Sequence, residues 1–154
     1  MKKIYLILAL ALTLGFVSCD EEYVTYSDAE YVMFAQEQSI NMVLSDQEYF
    51  TVPVSSTIAC DYDRTFGVEV VDKGSNAVEG KHYRLLSNSV TIPAGKLVAD
   101  VKVAGNYENI EATDSLGFVL KLVMPEQLKW DLYEGSDQTN VVMYKGCPFD
   151  RNNF

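Results

Sequence analysis

The sequence has little positive charge, since 12 lysines and arginines stand against 22 aspartates and glutamates among 154 residues. The formal net charge is -10. Nucleic acid binding requires a basic surface that pairs with phosphates, so this composition excludes that class of partner. The chain is also too short for a large barrel enzyme, and it suits one domain of moderate size with extensions.

Histidine is nearly absent, because His82 is the single one in the chain. This excludes a metal site built on several imidazoles, and no base or orienting partner for a catalytic His82 can be named. The sequence also lacks a Gly-x-Ser-x-Gly elbow, a glycine-rich phosphate loop and a His-Glu-x-x-His motif. Paired carboxylates of the glycosidase type remain compatible with the acidic composition, but a domain this small leaves little room for a cleft. We predict a protein that is not an enzyme and has no cofactor.

Long apolar runs are missing outside the N-terminus. Residues 1–3 form a short positive head, residues 4–17 are apolar apart from Thr13 and Gly15, and the small Ser18 follows. This order is typical of a secretory signal peptide, and the run is shorter than the roughly 20 residues that span a bilayer. We therefore assign residues 1–18 to a signal peptide.

Cysteine 19 follows this segment directly. The stretch Phe16-Val17-Ser18-Cys19 resembles the lipobox of bacterial lipoproteins. The resemblance implies that Cys19 receives diacylglycerol on its sulfur, becomes the mature N-terminus and anchors the protein to a membrane. Each buried CH₂ of such a lipid contributes about 0.8 kcal/mol. The alternative is a secreted protein with an incidental cysteine.

An acidic run comes next, in Asp20, Glu21 and Glu22. Cys-Asp-Glu-Glu resembles the export signal of Bacteroidetes surface lipoproteins, which implies an outer-membrane protein exposed on the cell surface. The alternative is a solvated acidic linker, as most charge runs are. In either case we interpret residues 19–30 as an acidic tether.

Short apolar runs separated by turn clusters fill the rest of the chain. In one of them Phe50, Val52 and Val54 alternate with polar residues, which is the period of a strand with one buried face. The pattern predicts strands at 31–34, 40–44, 49–55, 65–72, 89–93, 97–104, around 118–122 and at 141–144, with mild helical character only at 126–133. Pro53 cannot donate a ladder hydrogen bond, so we expect the third strand at an edge or a bulge. The series predicts an all-β fold, an antiparallel sandwich of immunoglobulin-like type over residues 31–145.

The centre of the chain carries a more specific pattern. The element Ala-Val-Glu-Gly-Lys-His-Tyr contains Ala77, which can sit under a strand, and Gly80, which can take a positive φ. In the same element Tyr83 can bury its ring while its hydroxyl makes a hydrogen bond, so we predict a structural corner. The chain resembles a Calx-β domain, in the Bacteroidetes lipoprotein branch of that fold, through residues that fall in the family's order: Ala77, Gly80, Tyr83, Val90, Ile92, Gly95, Val101, Val103, Phe118 and Leu120.

Many Calx-β domains bind Ca²⁺ through acidic loops, so the resemblance makes Glu108, Glu111 and Asp114 candidate ligands, together with Asp61 and Asp63 of another loop. Ca²⁺ takes about six to eight oxygens, often from several carboxylates. The dense acidic pattern of the calcium-binding members is missing here, and a histidine stands where the family commonly has aspartate. We therefore predict no specific metal site.

Aromatic and cysteine side chains leave alternatives open. Trp130 and Tyr133 are candidates for stacking on sugar rings, or Trp130 packs across the end of the sandwich. Cys60 and Cys147 either form a disulfide or stay as one buried and one exposed thiol. Residues 146–154 resemble the joint to a second domain in longer lipoproteins, so they form a tail or the start of such a domain.

The combined prediction is a non-catalytic cell-envelope lipoprotein, attached through its lipid to the outer membrane and serving adhesion or accessory binding of a protein or glycan. The alternatives are a structural spacer that has no ligand and a Ca²⁺-dependent binding module. Nucleic acid is excluded as a partner by the charge.

Overall fold

The structure, a computed structural model, describes residues 29–130 and 135–147. Strands alternate inward and outward side chains throughout this part of the chain, as the period of two predicts. The strands are β1 (Val32–Phe34), β2 (Gln38–Val43), β3 (Phe50–Ser56), β4 (Arg64–Val71), β5 (Tyr83–Leu85), β6 (Ser89–Ile92), β7 (Val98–Gly105), β8 (Leu116–Val123) and β9 (Gln138–Lys145). Two single-turn 3-10 helices, Tyr107–Asn109 and Glu126–Leu128, lie between strands.

Two sheets pack face to face. One has the order β1-β3-β7-β5 and the other β2-β9-β8-β4-β6. The predicted all-β sandwich is confirmed. One detail is wrong, because β2 and β9 run parallel while the other pairs are antiparallel. The reason is that the chain passes from β1 in the first sheet to β2 in the second without reversing its direction.

The core lies between the sheets and is built from the inward residues of both. Phe50, Val52 and Val54 of β3 are all buried, as their alternation predicts. At its centre the ring of Tyr83 stacks on that of Phe118, with centroids 3.8 Å apart and planes 5° from parallel. Each fully buried side chain of this size contributes about 1.5–3 kcal/mol, so the alternating pattern accounts for the main stabilising term of the fold.

Pro53 does not lie at an edge or a bulge, so that prediction is wrong. Strand β3 has β1 on one side and β7 on the other, and its register with both is unbroken. The proline is tolerated because β1 ends at Phe34, opposite Val54, so no further residue of β1 requires an N–H from Pro53. Instead, the carbonyl of Pro53 accepts the N–H of Ala35 at 2.9 Å.

The remaining strand predictions are confirmed to within a few residues, and the three-residue β5, whose first residue is the corner residue Tyr83, was missed. Loops collect at two ends of the sandwich, which we name by a buried residue at each. The Arg64 end contains residues 57–63, 93–97 and the chain around the second 3-10 helix. The His82 end contains residues 44–49, 72–82 and 106–115. Within the described part of the chain, the structure has no helix of the length and apolarity that a membrane span needs.

Candidate functional site

The predicted lipid and export residues, Cys19, Asp20, Glu21 and Glu22, lie outside the described residues. Tyr133, one of the two predicted stacking aromatics, lies outside them as well. The lipid anchor, the export signal and the Tyr133 part of the stacking hypothesis therefore stay predictions.

Trp130 packs at the Arg64 end, as one of the two sequence interpretations expects. Its indole stacks on the ring of Tyr31, with centroids 5.8 Å apart and planes 13° from parallel. Trp130, with Phe34, Glu37 and Gln138, also lines a pocket of about 270 Å³ that opens where β1 and β2 meet. We call it the Trp130 pocket. It combines an aromatic wall with amide and carboxylate groups, which are the two elements that sugar recognition requires.

Backbone hydrogen bonds hold the walls of the Trp130 pocket. The N–H of Phe34 donates to the carbonyl of Ser136 at 3.1 Å, and the N–H of Asn140 donates to the carbonyl of Glu37 at 2.9 Å. The side chains of Glu37 and Gln138 are exposed and make no hydrogen bond or ion pair with any described residue. Their polar atoms are consequently available to hydroxyl groups of a ligand.

A buried ion pair holds the chain segment next to Tyr31, the residue on which Trp130 stacks. The Arg64 guanidinium binds the Glu30 carboxylate, and the side chain of Arg64 is 4% exposed. Tyr31 follows Glu30 directly, and its N–H donates to Thr57 Oγ1 at 2.9 Å while its carbonyl accepts the N–H of Thr57 at 3.0 Å. The backbone of Tyr31 is thus held to the sandwich by both of its hydrogen-bonding groups and by the ion pair of the preceding residue, which positions the ring on which Trp130 stacks. Sequence reasoning missed Arg64, although an arginine at an inward strand position is a signal that could have drawn attention to it.

The acidic candidates for Ca²⁺ do not form a cage. Glu108 is exposed on the first 3-10 helix, and Asp114 accepts the N–H of Glu111 through Oδ2 at 3.3 Å, which closes a turn inside the same loop. Asp61 and Asp63 lie at the Arg64 end, whereas the other three acids lie at the His82 end, so the suggested joint site is wrong. Asp63 Oδ1 accepts the N–H of Ala94 at 2.8 Å. Among residues 29–130 and 135–147, no group of three or more His, Cys, Asp or Glu side chains is placed to hold a metal ion.

His82 is buried, and its imidazole belongs to a turn. Its Nδ1 accepts the N–H of Val78 at 3.0 Å, and its own N–H donates to the carbonyl of Val78 at 2.8 Å. The two bonds close the loop that precedes β5. The single histidine of the chain is thus a hydrogen-bonded residue of a turn.

The predicted corner around Tyr83 is confirmed in its geometry. Gly80 has a φ of 79°, and Ala77 is 7% exposed under the end of β8, where its N–H bonds the carbonyl of Gly117 at 2.9 Å. The expectation that the Tyr83 hydroxyl makes a hydrogen bond is wrong, however. Within the described residues that hydroxyl has no hydrogen-bond partner, although Tyr83 is 2% exposed.

Tyr83 lines a second and larger cleft, of about 670 Å³, which sequence reasoning missed. It lies between β4 and β5, on the side of the sandwich opposite to the Trp130 pocket. Asp72 and Glu79 also line it. Burial raises the pKa of Tyr83 to about 12, and the negative charges of Glu79 and Asp72 add to the shift.

Cys60 and Cys147 are free thiols in the structure, Cys60 half-buried and Cys147 exposed. Cys60 precedes β4 at the Arg64 end, while Cys147 follows β9 at the His82 end. A disulfide requires Cα atoms within about 7 Å, and the length of the sandwich separates these two residues. Of the two alternatives, the structure therefore has two separate free thiols and no disulfide between them.

Comparison with known structures identifies the fold. The chain is similar to the Calx CBD1 domain in its apo form, at 14% identity and a TM-score of 0.56, covering 78% of this chain and 100% of that domain. It has a Calx-β-like fold. A Bacteroides ovatus protein of unknown function is similar at 10% identity and a TM-score of 0.61, over 77% of this chain and 53% of that one. A candidate carbohydrate-binding protein from Bacteroides ovatus is similar at 15% identity and a TM-score of 0.52, over 76% of this chain and 37% of that one.

The Calx-β-like chain thus spans about half, or less, of the length of these two Bacteroides ovatus proteins. No protein-family model and no curated protein matches it. At these identities the similarity shows the fold, and function has to be argued from the chain's own residues.

Proposed function

We propose that this protein is a non-catalytic lipoprotein of the outer cell surface whose Calx-β-like domain binds a glycan in the Trp130 pocket. The observation that carries the glycan assignment is the Trp130–Tyr31 stack beside the side chains of Glu37 and Gln138. Aromatic rings pack against the apolar face of a sugar, and carboxylate and amide oxygens accept hydrogen bonds from its hydroxyls.

The similarity to a candidate carbohydrate-binding protein of Bacteroides ovatus supports this choice over a protein ligand, although the likeness extends to the fold alone. A pocket of about 270 Å³ fits one or two sugar units rather than a long chain. Backbone hydrogen bonds tie Phe34 to Ser136 and Glu37 to Asn140 across the pocket, so little ordering is needed on binding.

The only tryptophan of the chain provides the assay for binding, because intrinsic tryptophan fluorescence then reports on Trp130 alone. The mature lipoprotein, purified in detergent, is screened on a glycan array, and hits are titrated by fluorescence. We expect saturable binding that Gln138→Ala weakens about tenfold in the titration, the loss of roughly one hydrogen bond. Because Trp130→Ala removes the fluorescent residue, that variant is measured on the array, where we expect it to lose binding. Tyr144→Ala is the control, since it removes an exposed aromatic ring on the outer face of β9.

A protein that binds no glycan on the array, or whose binding survives Trp130→Ala, would contradict the proposal, and the first result would favour the spacer function. The location is tested separately. We expect Cys19→Ser to abolish lipid labelling, and protease treatment of intact cells to remove the protein. A protein that is degraded only after lysis would rule out surface exposure.

A further inference from the structure

We propose that the acidic cleft between β4 and β5 binds an extended peptide segment through one lysine side chain. This second site does not depend on the Trp130 pocket. The argument combines the charge of the cleft, the unpartnered hydroxyl of Tyr83 and an unpaired stretch of strand edge.

The charge of the cleft has one sign. Glu69, Asp72 and Glu79 line it, and no lysine, arginine or histidine among the described residues does so. Glu69 forms an ion pair with Lys121 at 3.5 Å, whereas Asp72 and Glu79 have no ion-pair partner in the described structure. Because the carboxylates are not grouped closely enough to cage a metal ion, a larger cation that makes hydrogen bonds in several directions fits better. A lysine ammonium, which has three donors, is such a cation.

The Tyr83 hydroxyl is the second observation. Tyr83 is 2% exposed and lines the cleft, no described residue makes a hydrogen bond with its hydroxyl, and the charges of Glu79 and Asp72 in the same cleft act on its pKa. The hydroxyl is not among the buried side-chain atoms that lack a partner, so it is open to solvent and can accept a hydrogen bond from a ligand that enters the cleft. The phenol is neutral at ordinary pH because its pKa is about 12, and its oxygen can accept an ammonium N–H.

The edge of β4 is the third observation. Strand β6 pairs with β4 only as far as Gly67, and the N–H of Val68 then donates to the carbonyl of Asn88 at 2.8 Å, on the side away from β8. Backbone groups alternate sides along a strand, so the N–H and C=O of Val70 point to this same side. No described residue pairs with them there. An extended peptide can add to this edge through the two groups of Val70.

The apolar walls suit the rest of a lysine. Val68, Ala77 and Leu85 line the inner part of the cleft, while Asp72 and Glu79 are exposed near its opening. The four methylenes of lysine can lie along apolar surface while the ammonium meets the charged groups. A free diamine would make the charge contacts but has no backbone to pair with Val70. Comparing the two ligands therefore distinguishes a lysine side chain in a peptide from a free amine.

The test is calorimetric titration of the mature lipoprotein with the capped tripeptide acetyl-Val-Lys-Val-amide. The controls are acetyl-Val-Gln-Val-amide and 1,5-diaminopentane. We expect the lysine peptide to bind, with an affinity that falls as salt is raised, because the charge contacts are partly exposed. Asp72→Asn and Glu79→Gln should each weaken binding about two- to fivefold, as partly exposed ion pairs do. Asp100→Asn, an exposed acid on the outer face of β7, should leave it unchanged.

Tyr83→Phe separates binding from folding, since it keeps the ring that stacks on Phe118 and removes only the hydroxyl. We expect it to weaken the peptide about tenfold, as the loss of one hydrogen bond to a charged group does, while unfolding stays cooperative. No binding of the lysine peptide, equal binding of the glutamine peptide, or binding insensitive to Tyr83→Phe would overturn the site. Binding of the diamine as tightly as the peptide would overturn the assignment to a peptide. Glycan binding through Trp130 is measured in parallel, so that either proposal can fail alone.

Discussion

The buried ion pair at the Arg64 end gives a sharp test of what holds the N-terminal segment to the sandwich. Arg64 binds the Glu30 carboxylate and donates to Ser56 Oγ at 2.8 Å and to the carbonyls of Ile58 and Lys96, each at 2.9 Å. Replacing Arg64 by methionine keeps most of the side-chain volume and leaves all four acceptors without this donor. Glu30 is then a negative charge whose side chain is only 20% exposed.

Breaking a buried ion pair from one side costs about 3–5 kcal/mol. The partial exposure of Glu30 lets water reach it, so we expect Arg64→Met to lower the free energy of unfolding by about 3 kcal/mol. Glu30→Gln keeps an acceptor for the guanidinium and removes the charge, so it should cost about 1 kcal/mol. The double variant should lose less than the two single losses together, because methionine no longer requires a charged partner.

Urea unfolding of the three variants, followed by the fluorescence of Trp130, measures these differences from the midpoints at a common slope. Arg84→Met is the matched control, since Arg84 is exposed on β5, and it should change stability by less than about 0.5 kcal/mol. A cost below about 1 kcal/mol for Arg64→Met, or strict additivity in the double variant, would refute the reasoning that the pair acts as a buried unit.

Three further predictions concern stability. Gly105→Ala should cost about 1–3 kcal/mol in urea unfolding, because an added Cβ would meet the Val43 side chain at 2.6 Å, while an unchanged midpoint would show that Val43 can move aside. Gly80→Ala should cost about 1–2 kcal/mol through its φ of 79°, although the added Cβ meets no atom within 4 Å, and Gly80→Asn should recover part of that loss. The wild type should lose stability relative to Tyr83→Phe as pH rises from about 10 to 12, because the folded pKa of Tyr83, about 12, lies above the unfolded value of about 10 and the buried phenol resists ionisation. A pH-independent difference between these two proteins in that window would contradict the raised pKa of Tyr83 and the partial desolvation that causes it.

Sequence patterns predicted the local structure better than the arrangement of strands. The alternation of Phe50, Val52 and Val54 depends only on which side chains face the core, and it was read correctly. The interpretation of Pro53 failed because the consequence of a proline depends on how far the neighbouring strand extends. Strand β1 ends at Phe34, opposite Val54, one residue short of the position where its pairing would require an N–H from Pro53. The parallel β2–β9 pair likewise depends on a chain crossing between sheets, for which the sequence has no local signal.

The candidate sites show the same division. Trp130 could be named from its residue type, but its partner Tyr31 is 99 positions away in the chain and became visible only in the fold. The acidic cleft was missed for a similar reason. Asp72 and Glu79 belong to a loop that reads as an ordinary turn, and their significance comes from the edge of β4 and the Tyr83 hydroxyl beside them. Sequence reasoning even assigned that hydroxyl a hydrogen bond, because most buried tyrosines have one.

The positions of the two proposed sites make a last prediction about their coupling. The Trp130 pocket lies where β1 and β2 form one side of the sandwich, and the acidic cleft lies where β4 and β5 form the other. Three strand spacings separate these sides in each sheet, about 14 Å, and no residue lines both sites. Sites so far apart without shared partners act nearly independently, so a saturating lysine peptide should change glycan affinity by less than about twofold. A larger change would mean that the core between them, at the Tyr83–Phe118 stack, shifts when either ligand binds.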